Sequence, residues 1–201
     1  MTMGVSRALV QAAIVIAWVL IAPPFLRGRS SSEKKTTRRD SWSRVGLFVQ
    51  GIAFGLSWMG PWWLFMPRSP VMHPAVALVA VLVAFAGSFL VIRSIRELGR
   101  QWSLTARIAE GHRLITTGPY SLVRNPIYTG MWGLQLGTCL AFSAWWLGYK
   151  MVAITAVIYY VGTMIRVNRE ERLLRAEFGE GFDEFTRRVP ALIPWRFGSK
   201  R

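Results

Sequence analysis

Long apolar stretches alternate along the chain with shorter basic ones. Five apolar stretches can be marked, each close to the ~20 residues that a helix needs to cross a ~30 Å hydrocarbon core. They are Ala8–Leu26, Val45–Met66, Met72–Ile92, Ile127–Tyr149 and Met151–Val167. Charged residues and histidines are confined to the ends of these stretches. The pattern therefore predicts an all-α integral membrane protein with five transmembrane helices.

The first stretch has two possible interpretations. Arg7 precedes its apolar run, as in a secretory signal peptide. The run ends in Ala22-Pro23-Pro24, however, and no small-x-small cleavage site follows. We therefore favour an uncleaved transmembrane helix over a signal peptide.

Two pairs of glycines lie four residues apart inside the apolar stretches. Gly51 and Gly55 form one pair, and Gly133 and Gly137 form the other. Small residues at this spacing let two membrane helices approach closely. Both pairs therefore predict sites of helix packing, with no chemical role.

Composition supports the membrane class. The 201 residues combine a mean hydropathy of +0.31 with a net charge of +15. A disordered chain has high charge but low hydropathy, so disorder is excluded. The single cysteine, Cys139, excludes an internal disulfide and a cysteine-based zinc site. We assign the basic excess to membrane lipids rather than to nucleic acid, because each Lys or Arg beside a span gains about 1 kcal/mol near anionic headgroups.

The basic residues also predict the orientation. Segment 27–44 carries seven of them, segment 93–126 carries six, and the tail from Arg166 carries nine. With five spans, these three segments fall on one side of the membrane. The positive-inside rule then predicts an N-terminus outside and a C-terminus in the cytoplasm. Small size and a preference for arginine over lysine favour a bacterial inner membrane.

The segment between the third and fourth stretches is more than a linker. Residues Arg93–Trp102 continue the third span as an amphipathic helix, and Ser103–Thr117 suits an extended loop. Gly118-Pro119-Tyr120 has the composition of a turn. Asn125 suits a helix N-cap and Pro126 a first helical residue, so the fourth helix is predicted to begin there.

Two motifs in this half resemble the signature of the isoprenylcysteine carboxyl methyltransferase family, which belongs to a superfamily shared with phospholipid methyltransferases. The first is HRLITTGPYSLVRNPIYTG at 112–130. The second is RVNREE at 166–171, followed by EFG at 177–179 and RRVP at 187–190. The resemblance covers about residues 90–195. It implies a prokaryotic-type member that is embedded in the membrane and transfers methyl groups from S-adenosylmethionine to a lipophilic substrate.

The resemblance also implies an organisation and a set of site residues. Residues 1–92 would hold three spans with the basic loop 27–44, and 93–201 the methyltransferase core, with the helical hairpin 127–167 between a cofactor-binding loop and cytoplasmic amphipathic helices. Arg166 matches the residue at the substrate, and we expect it to bind substrate and act in catalysis. The implied cofactor contacts are His112, Arg113, Leu114, Ile115, Tyr120, Asn125, Pro126, Ile127, Tyr128 and Glu170.

Each of these residues also has a plainer interpretation. The planar fork of Arg166 could hold a carboxylate, or it could anchor the helix at the membrane surface. Glu170, four residues on, could accept hydrogen bonds from the cofactor or form a surface ion pair. Tyr120 and Tyr128 could enclose the adenosyl group or belong to an interfacial aromatic belt. Asn125 stands where the family commonly has His, and Asn cannot act as a general base, so only a hydrogen-bonding role survives there.

The substrate class stays open at this stage. The resemblance favours a prenylated carboxylate, with a phospholipid or other amine, a small lipophilic acid or a thiol as alternatives. A non-catalytic membrane interaction protein is a further alternative, whereas the absence of charges inside the spans argues against a transporter. No metal site is expected, because His112 has no second His or Cys nearby. The oligomeric state is not predicted.

Overall fold

The computed structural model of the protein describes residues 4–30, 36–39, 42–59, 71–104, 107–109, 111–142 and 148–194. This part of the chain is mostly helical, as predicted. Its α-helices are α1 (Arg7–Ser30), α2 (Ser43–Met59), α3 (Pro74–Leu98), α4 (Pro126–Phe142), α5 (Gly148–Phe178) and α6 (Glu180–Arg188).

The prediction of an all-α protein is wrong in one respect, since four short strands form two pairs outside the helices. Strand β1 (Val5–Ser6) pairs with β3 (Val71–Met72), and β2 (Thr36–Arg39) pairs with β4 (Arg107–Ala109), both antiparallel. The first pair joins the start of α1 to the start of α3. The second joins the segments that follow α1 and α3. Extended connections at the same end of a helical bundle satisfy their backbone hydrogen bonds by pairing with each other.

Three helices in the described part are long and apolar enough to cross a membrane. The segments concerned are Arg7–Leu26, Pro74–Gln101 and Lys150–Phe178. They match the first, third and fifth predicted spans, and they make this a membrane protein. The second and fourth predicted spans correspond to α2 and α4, each of 17 residues.

The helices of the structure test only some of the predicted span limits. Residues 60–66 and 143–147, assigned to the second and fourth spans, lie outside the described residues. The predicted limit between the fourth and fifth spans, at Tyr149 and Met151, is wrong, because Tyr149 and Lys150 belong to the first turn of α5. Helix α5 continues past Val167 to Phe178, and the end of the membrane span at Val167 stays a prediction.

Local sequence explains where α3 and α4 begin. His73 caps α3, since its Nδ1 accepts a hydrogen bond from the Ala75 amide at 3.3 Å, and Pro74 takes the first helical position. Helix α3 continues to Leu98 and then tightens into a 3-10 turn, Gly99–Gln101. This extension agrees with the predicted helical continuation of the third span. Helix α4 begins at Pro126, as predicted.

Small residues bring α3 and α4 into close contact. A Cβ atom on Gly130 would lie 2.6 Å from the carbonyl oxygen of Gly87, and one on Gly137 would lie 2.7 Å from that of Ala80. Both distances are too short for any side chain. The predicted packing role of the pair that contains Gly137 is therefore confirmed.

Helix α2 packs against α5 through a different glycine from those predicted. A Cβ on Gly46 would lie 2.6 Å from the carbonyl oxygen of Gly162, so these two glycines set the closest approach. Within the described part of the chain, a Cβ on Gly51 or on Gly55 would meet nothing within 4 Å. The prediction that Gly51 and Gly55 form a packing pair is therefore wrong.

Candidate functional site

One cavity brings the predicted site residues together. It has a volume of about 240 Å³ and lies where the end of α3, the segment 111–128, α5 and α6 meet. All eleven predicted site residues line it, from His112 to Arg166 and Glu170. Part of the cavity lining is apolar and comes from α1, α2 and α4; we call this part, formed by Phe25, Leu47, Gly51, Phe54, Ile127 and Met131, the apolar arm.

The end of α3 holds the first predicted motif in place. The backbone amide of Arg113 donates to Gln101 Oε1 at 2.5 Å, and the Thr117 hydroxyl donates to Glu97 Oε1 at 2.5 Å. Gly118 has a φ of +57° and lies so close to Glu97 that a Cβ would be 3.0 Å from its carboxylate. A left-handed backbone in that space requires glycine. Gln101 and Glu97 were not predicted, because they lie before the first motif and outside the second.

Tyr120 closes the loop side of the cavity against the tail. Its ring is buried and packs with Phe182 and Phe185 of α6, with Leu114 and Ile115 partly buried around it. Burial, and then the nearby carboxylates of Glu170 and Glu97, raise the pKa of the Tyr120 hydroxyl well above its usual range. The hydroxyl therefore stays protonated and can act as a hydrogen-bond donor.

Arg124 and Asn125 fasten the tail to the start of α4. The Arg124 guanidinium pairs with the Glu171 carboxylate at 3.0 and 3.3 Å, and its Nη1 donates to the carbonyl of Val189 at 2.5 Å. The Asn125 amide donates to Glu171 Oε1 and to the Ala191 carbonyl, both at 3.2 Å. Asn125 thus acts as a hydrogen-bond donor inside this tail clamp, and Glu171 is occupied by the same contacts.

The polar end of the cavity is built around Arg166. Its guanidinium is only 5% exposed and lies 5.0 Å from the centre of the Tyr128 ring. One Nη atom is 3.6 Å from Glu170 Oε1, and that oxygen accepts a hydrogen bond from the Tyr128 hydroxyl at 2.5 Å. The pair of Arg166 and Glu170 is therefore internal rather than a surface ion pair. The Glu170 side chain keeps 27% exposure, and it faces the cavity.

Two further groups hold the Arg166 side chain. Its Nη1 donates to Gln50 Oε1 at 3.2 Å, and its Nη2 donates to the carbonyl of Leu104 at 2.6 Å. Its Nε is buried and has no partner among the described residues. Sequence reasoning missed Gln50, although a glutamine inside a predicted span is itself a signal of a specific polar contact.

Comparison with known proteins identifies the family to which residues 75–181 belong. Residues 75–181 match the family model described as Phospholipid methyltransferase. This match covers more than half of the chain, and the protein belongs to that family. The superfamily that the two motifs predicted is thereby confirmed.

Individual relatives match over half of the chain or somewhat more. Over 115 residues the chain is 30% identical to Protein-S-isoprenylcysteine O-methyltransferase B of Arabidopsis thaliana, covering 54% of each protein. Over 140 residues it is 31% identical to Methanethiol S-methyltransferase 1 of Bradyrhizobium diazoefficiens, covering 63% of this chain and 45% of the relative. Over 109 residues it is 32% identical to Cobalt-zinc-cadmium resistance protein CzcN of Cupriavidus metallidurans, covering 50% and 45%. The chain spans about half the length of the curated relatives it matches.

Proposed function

We propose that the protein is a membrane-embedded methyltransferase that uses S-adenosylmethionine to methylate a lipophilic substrate, with a carboxylate as the favoured acceptor. The observation that carries this proposal is that the polar group around Arg166 and the apolar arm line the same cavity. A polar cofactor and an apolar substrate could meet in such a space. The family and the names of two of the relatives support methyl transfer.

The loop side of the cavity fits the methyl donor. S-adenosylmethionine, when bound, supplies a methyl group that its positively charged sulfur has already activated. Leu114, Ile115 and the Tyr120 ring offer an apolar wall for an adenine ring. The Glu170 carboxylate can accept hydrogen bonds from hydroxyl or amino groups, and with the Tyr128 ring it provides a favourable environment for positive charge. The protein's main task is then to align the reacting groups.

Arg166 suits the substrate side. A buried guanidinium attracts an anionic nucleophile, and a carboxylate needs no base to become one. The apolar arm beside Leu47, Phe54 and Met131 would take the lipophilic part of the substrate. Together these features favour a substrate with a negative end and an apolar chain.

A thiol is the second candidate substrate. Nη1 and Nη2 of Arg166 each already donate one hydrogen, to Gln50 and to the carbonyl of Leu104, so the planar fork that would hold both oxygens of a carboxylate is partly occupied. A partly occupied fork suits a nucleophile that presents a single atom, such as a thiolate. A relative named as a methanethiol S-methyltransferase agrees with this alternative.

The experiment that tests the proposal is calorimetric binding of S-adenosylhomocysteine to the detergent-purified protein. We expect binding by the wild type and about tenfold weaker binding by Glu170→Ala, because hydrogen bonds to charged groups contribute about 1.5–3 kcal/mol. The matched control is Glu177→Ala, an exposed glutamate on the same helix, which should bind like the wild type. Wild-type affinity in Glu170→Ala would show that Glu170 does not contribute to cofactor binding. No binding of S-adenosylhomocysteine by the folded wild type would favour a non-catalytic interaction protein.

We extend the proposal to five transmembrane crossings with the candidate site on the cytoplasmic side of a bacterial inner membrane. Helix α2 leads from β2 at one end of the bundle toward β3 at the other. Helix α4 starts beside the cavity and ends where Arg7 Nη1 donates to the carbonyl of Ala141 at 3.3 Å, next to the start of α1. Both helices therefore run the length of the bundle. The distribution of basic residues supports the orientation.

Cysteine labelling in spheroplasts tests this orientation. Cys139 is buried and would be replaced by alanine to give a cysteine-free background. We expect Lys150→Cys, at the start of α5, to react with a membrane-impermeant maleimide in intact spheroplasts. Glu180→Cys, at the start of α6, should react only after permeabilisation. Labelling of Glu180→Cys in intact spheroplasts would contradict a cytoplasmic site.

A further inference from the structure

The group that fixes the Arg166 side chain from α2 lies outside the segment that matches the family. That segment begins at residue 75, whereas Gln50 lies in the middle of α2. We propose that Gln50 is a positioning residue, which holds the Arg166 guanidinium in the orientation that methyl transfer requires. This inference rests on the proposed function, in which Arg166 directs the substrate's nucleophile.

The contacts of Gln50 determine the orientation of its amide. The side chain is only 4% exposed, its Nε2 donates to the Thr163 hydroxyl at 2.9 Å, and its Oε1 accepts from Arg166 Nη1 at 3.2 Å. A guanidinium has only donors, so the amide oxygen must face Arg166. Thr163 then takes the amide hydrogen on the other side. The Gln50 amide is therefore fixed at both ends, and it can transmit that constraint to Arg166.

Close packing of α2 on α5 keeps these groups in register. A Cβ on Gly162 would lie 2.9 Å from both the backbone nitrogen and the Cγ of Gln50. The two glycines Gly46 and Gly162 thus allow the Gln50 backbone to lie directly against α5, one turn before Arg166. Relative movement of the two helices is limited by this contact, so the position of Gln50 is well defined.

Without Gln50, the remaining contacts of Arg166 would hold it differently. Glu170 Oε1 lies 3.6 Å from Arg166 Nη2 and would attract the guanidinium once it has lost Gln50. The carbonyl of Leu104 would still accept its hydrogen bond from Nη2. A shift of about 1 Å in a group that orients the reactants can lower the rate about 100-fold. A glutamine that served only helix packing would show no such loss of rate on replacement by leucine, which has a similar volume, even if the protein became less stable.

Steady-state kinetics provide the first test, with S-adenosylmethionine and two probe acceptors, a farnesylated N-acetylcysteine and hexanethiol. We expect Gln50→Leu to lower kcat by about tenfold to 100-fold while KM for the cofactor stays within about twofold. Gln50→Glu keeps an acceptor for Arg166 and should retain most of kcat. Thr163→Val frees the amide without touching the cavity and should lower kcat by an intermediate factor.

The matched control is Gln135→Leu. Gln135 is another fully buried glutamine, on α4, that donates to the Ser57 hydroxyl at 3.1 Å, and it is not among the residues that line the cavity. We expect its substitution to leave kcat unchanged. An equal loss in Gln50→Leu and Gln135→Leu would indicate a general packing effect and would overturn the positioning role.

A second measurement needs no turnover. Nitrogen NMR of protein labelled with ¹⁵N-arginine, with the Arg166 signals assigned through Arg166→Lys, reports whether the guanidinium rotates freely. We expect separate Nη signals for Arg166 in the wild type and in Gln50→Glu, and averaged signals in Gln50→Leu and Thr163→Val. Separate Nη signals in Gln50→Leu would overturn the proposal even if no probe is methylated. Wild-type turnover by Arg166→Lys would instead show that methyl transfer does not need Arg166, and it would contradict the function proposed for this residue.

Discussion

The Tyr120 hydroxyl is subject to three influences that act in the same direction. Burial disfavours the phenolate, and the carboxylates of Glu170 and Glu97 disfavour it further, so its pKa lies well above the usual range. An unfolded tyrosine ionises near pH 10. The folded protein therefore binds the Tyr120 proton more tightly than the unfolded chain does. The stability that depends on this group is complete below about pH 10 and falls as the pH rises further.

An ultraviolet titration of tyrosinate in detergent tests this prediction. We expect Tyr120→Phe to show the same tyrosinate amplitude as the wild type between about pH 9 and 11, because Tyr120 does not ionise in the folded protein there. Thermal stability of the wild type should fall more steeply above about pH 10 than that of Tyr120→Phe. Loss of one tyrosine's amplitude in Tyr120→Phe would contradict the buried position of this hydroxyl.

Single residues differ in how far the sequence could reveal them. Tyr120 and Glu170 stand inside recognisable motifs, so a resemblance was enough to select them, and they do line one cavity. Their roles as cofactor contacts stay predictions. Gln50 and Gln101 lie outside both motifs, so the resemblance could not select them; Gln50 contacts Thr163 and Arg166, and Gln101 contacts Arg113. Such contacts depend on how the elements pack, and a polar residue inside a span signals only that some polar contact exists.

The tail clamp acts at the scale of whole elements. Arg124 joins the start of α4 to Glu171 on α5 and to the end of α6, and these charged side chains are only 14% and 16% exposed. Hydrogen bonds to charged groups in such positions contribute about 1.5–3 kcal/mol. By contrast, Arg175 on α5 and Asp183 on α6 form a salt bridge whose side chains are about half exposed, at 52% and 47%. Exposed pairs contribute about 0–1 kcal/mol.

Limited proteolysis compares the two pairs. We expect Arg124→Ala to accelerate tryptic cleavage at Arg187 and Arg188 by about tenfold, because about 1.4 kcal/mol of lost tail docking raises the open population by that factor. It should also weaken binding of S-adenosylhomocysteine, since α6 forms part of the cavity wall. Arg175→Ala should be cleaved at nearly the wild-type rate. Equal cleavage of the two variants would show that the clamp does not hold the tail.

The elements themselves were predictable where local chemistry defines them. Pro126 marks the start of α4, since proline favours the first turn of a helix and this preference depends on one residue alone. The end of α5 was not predictable from hydropathy, because hydropathy reports the change of solvent at the membrane surface and not the end of hydrogen bonding. The RVNREERLLR segment favours helix strongly and continues it to Phe178. The pair β2–β4 joins residues about 70 apart, and neither strand predicts the other.

On the scale of the whole molecule, the cavity draws on both halves of the chain. The predicted division into residues 1–92 and 93–201 followed the motifs, and it stays a prediction. Phe25 from α1 and Leu47 and Phe54 from α2 nevertheless line the same cavity as the motif residues. The first two helices are therefore well placed to select the substrate, while the family-matched segment provides the group around Arg166.

Gly51 is the position at which this selection can be tested. It lines the cavity, it is exposed at the surface of the bundle, and a Cβ there would meet nothing within 4 Å. A larger side chain should therefore leave the fold intact and narrow the apolar arm at its surface. We expect Gly51→Leu to lower kcat/KM about tenfold for the farnesylated acceptor, whose chain must use the arm, and much less for hexanethiol. Binding of S-adenosylhomocysteine should not change.

Gly55 provides the matched control, one helical turn further along α2. A Cβ on Gly55 also meets nothing within 4 Å, but Gly55 is not among the residues that line the cavity. Gly55→Leu adds the same apolar side chain to the same helix, so it reproduces any effect on expression, membrane insertion or detergent binding. If both variants lose activity equally, or if Gly51→Leu affects the two acceptors equally, the arm does not hold the substrate's chain. A loss confined to Gly51→Leu and to the long acceptor would instead mean that α2 sets the substrate length.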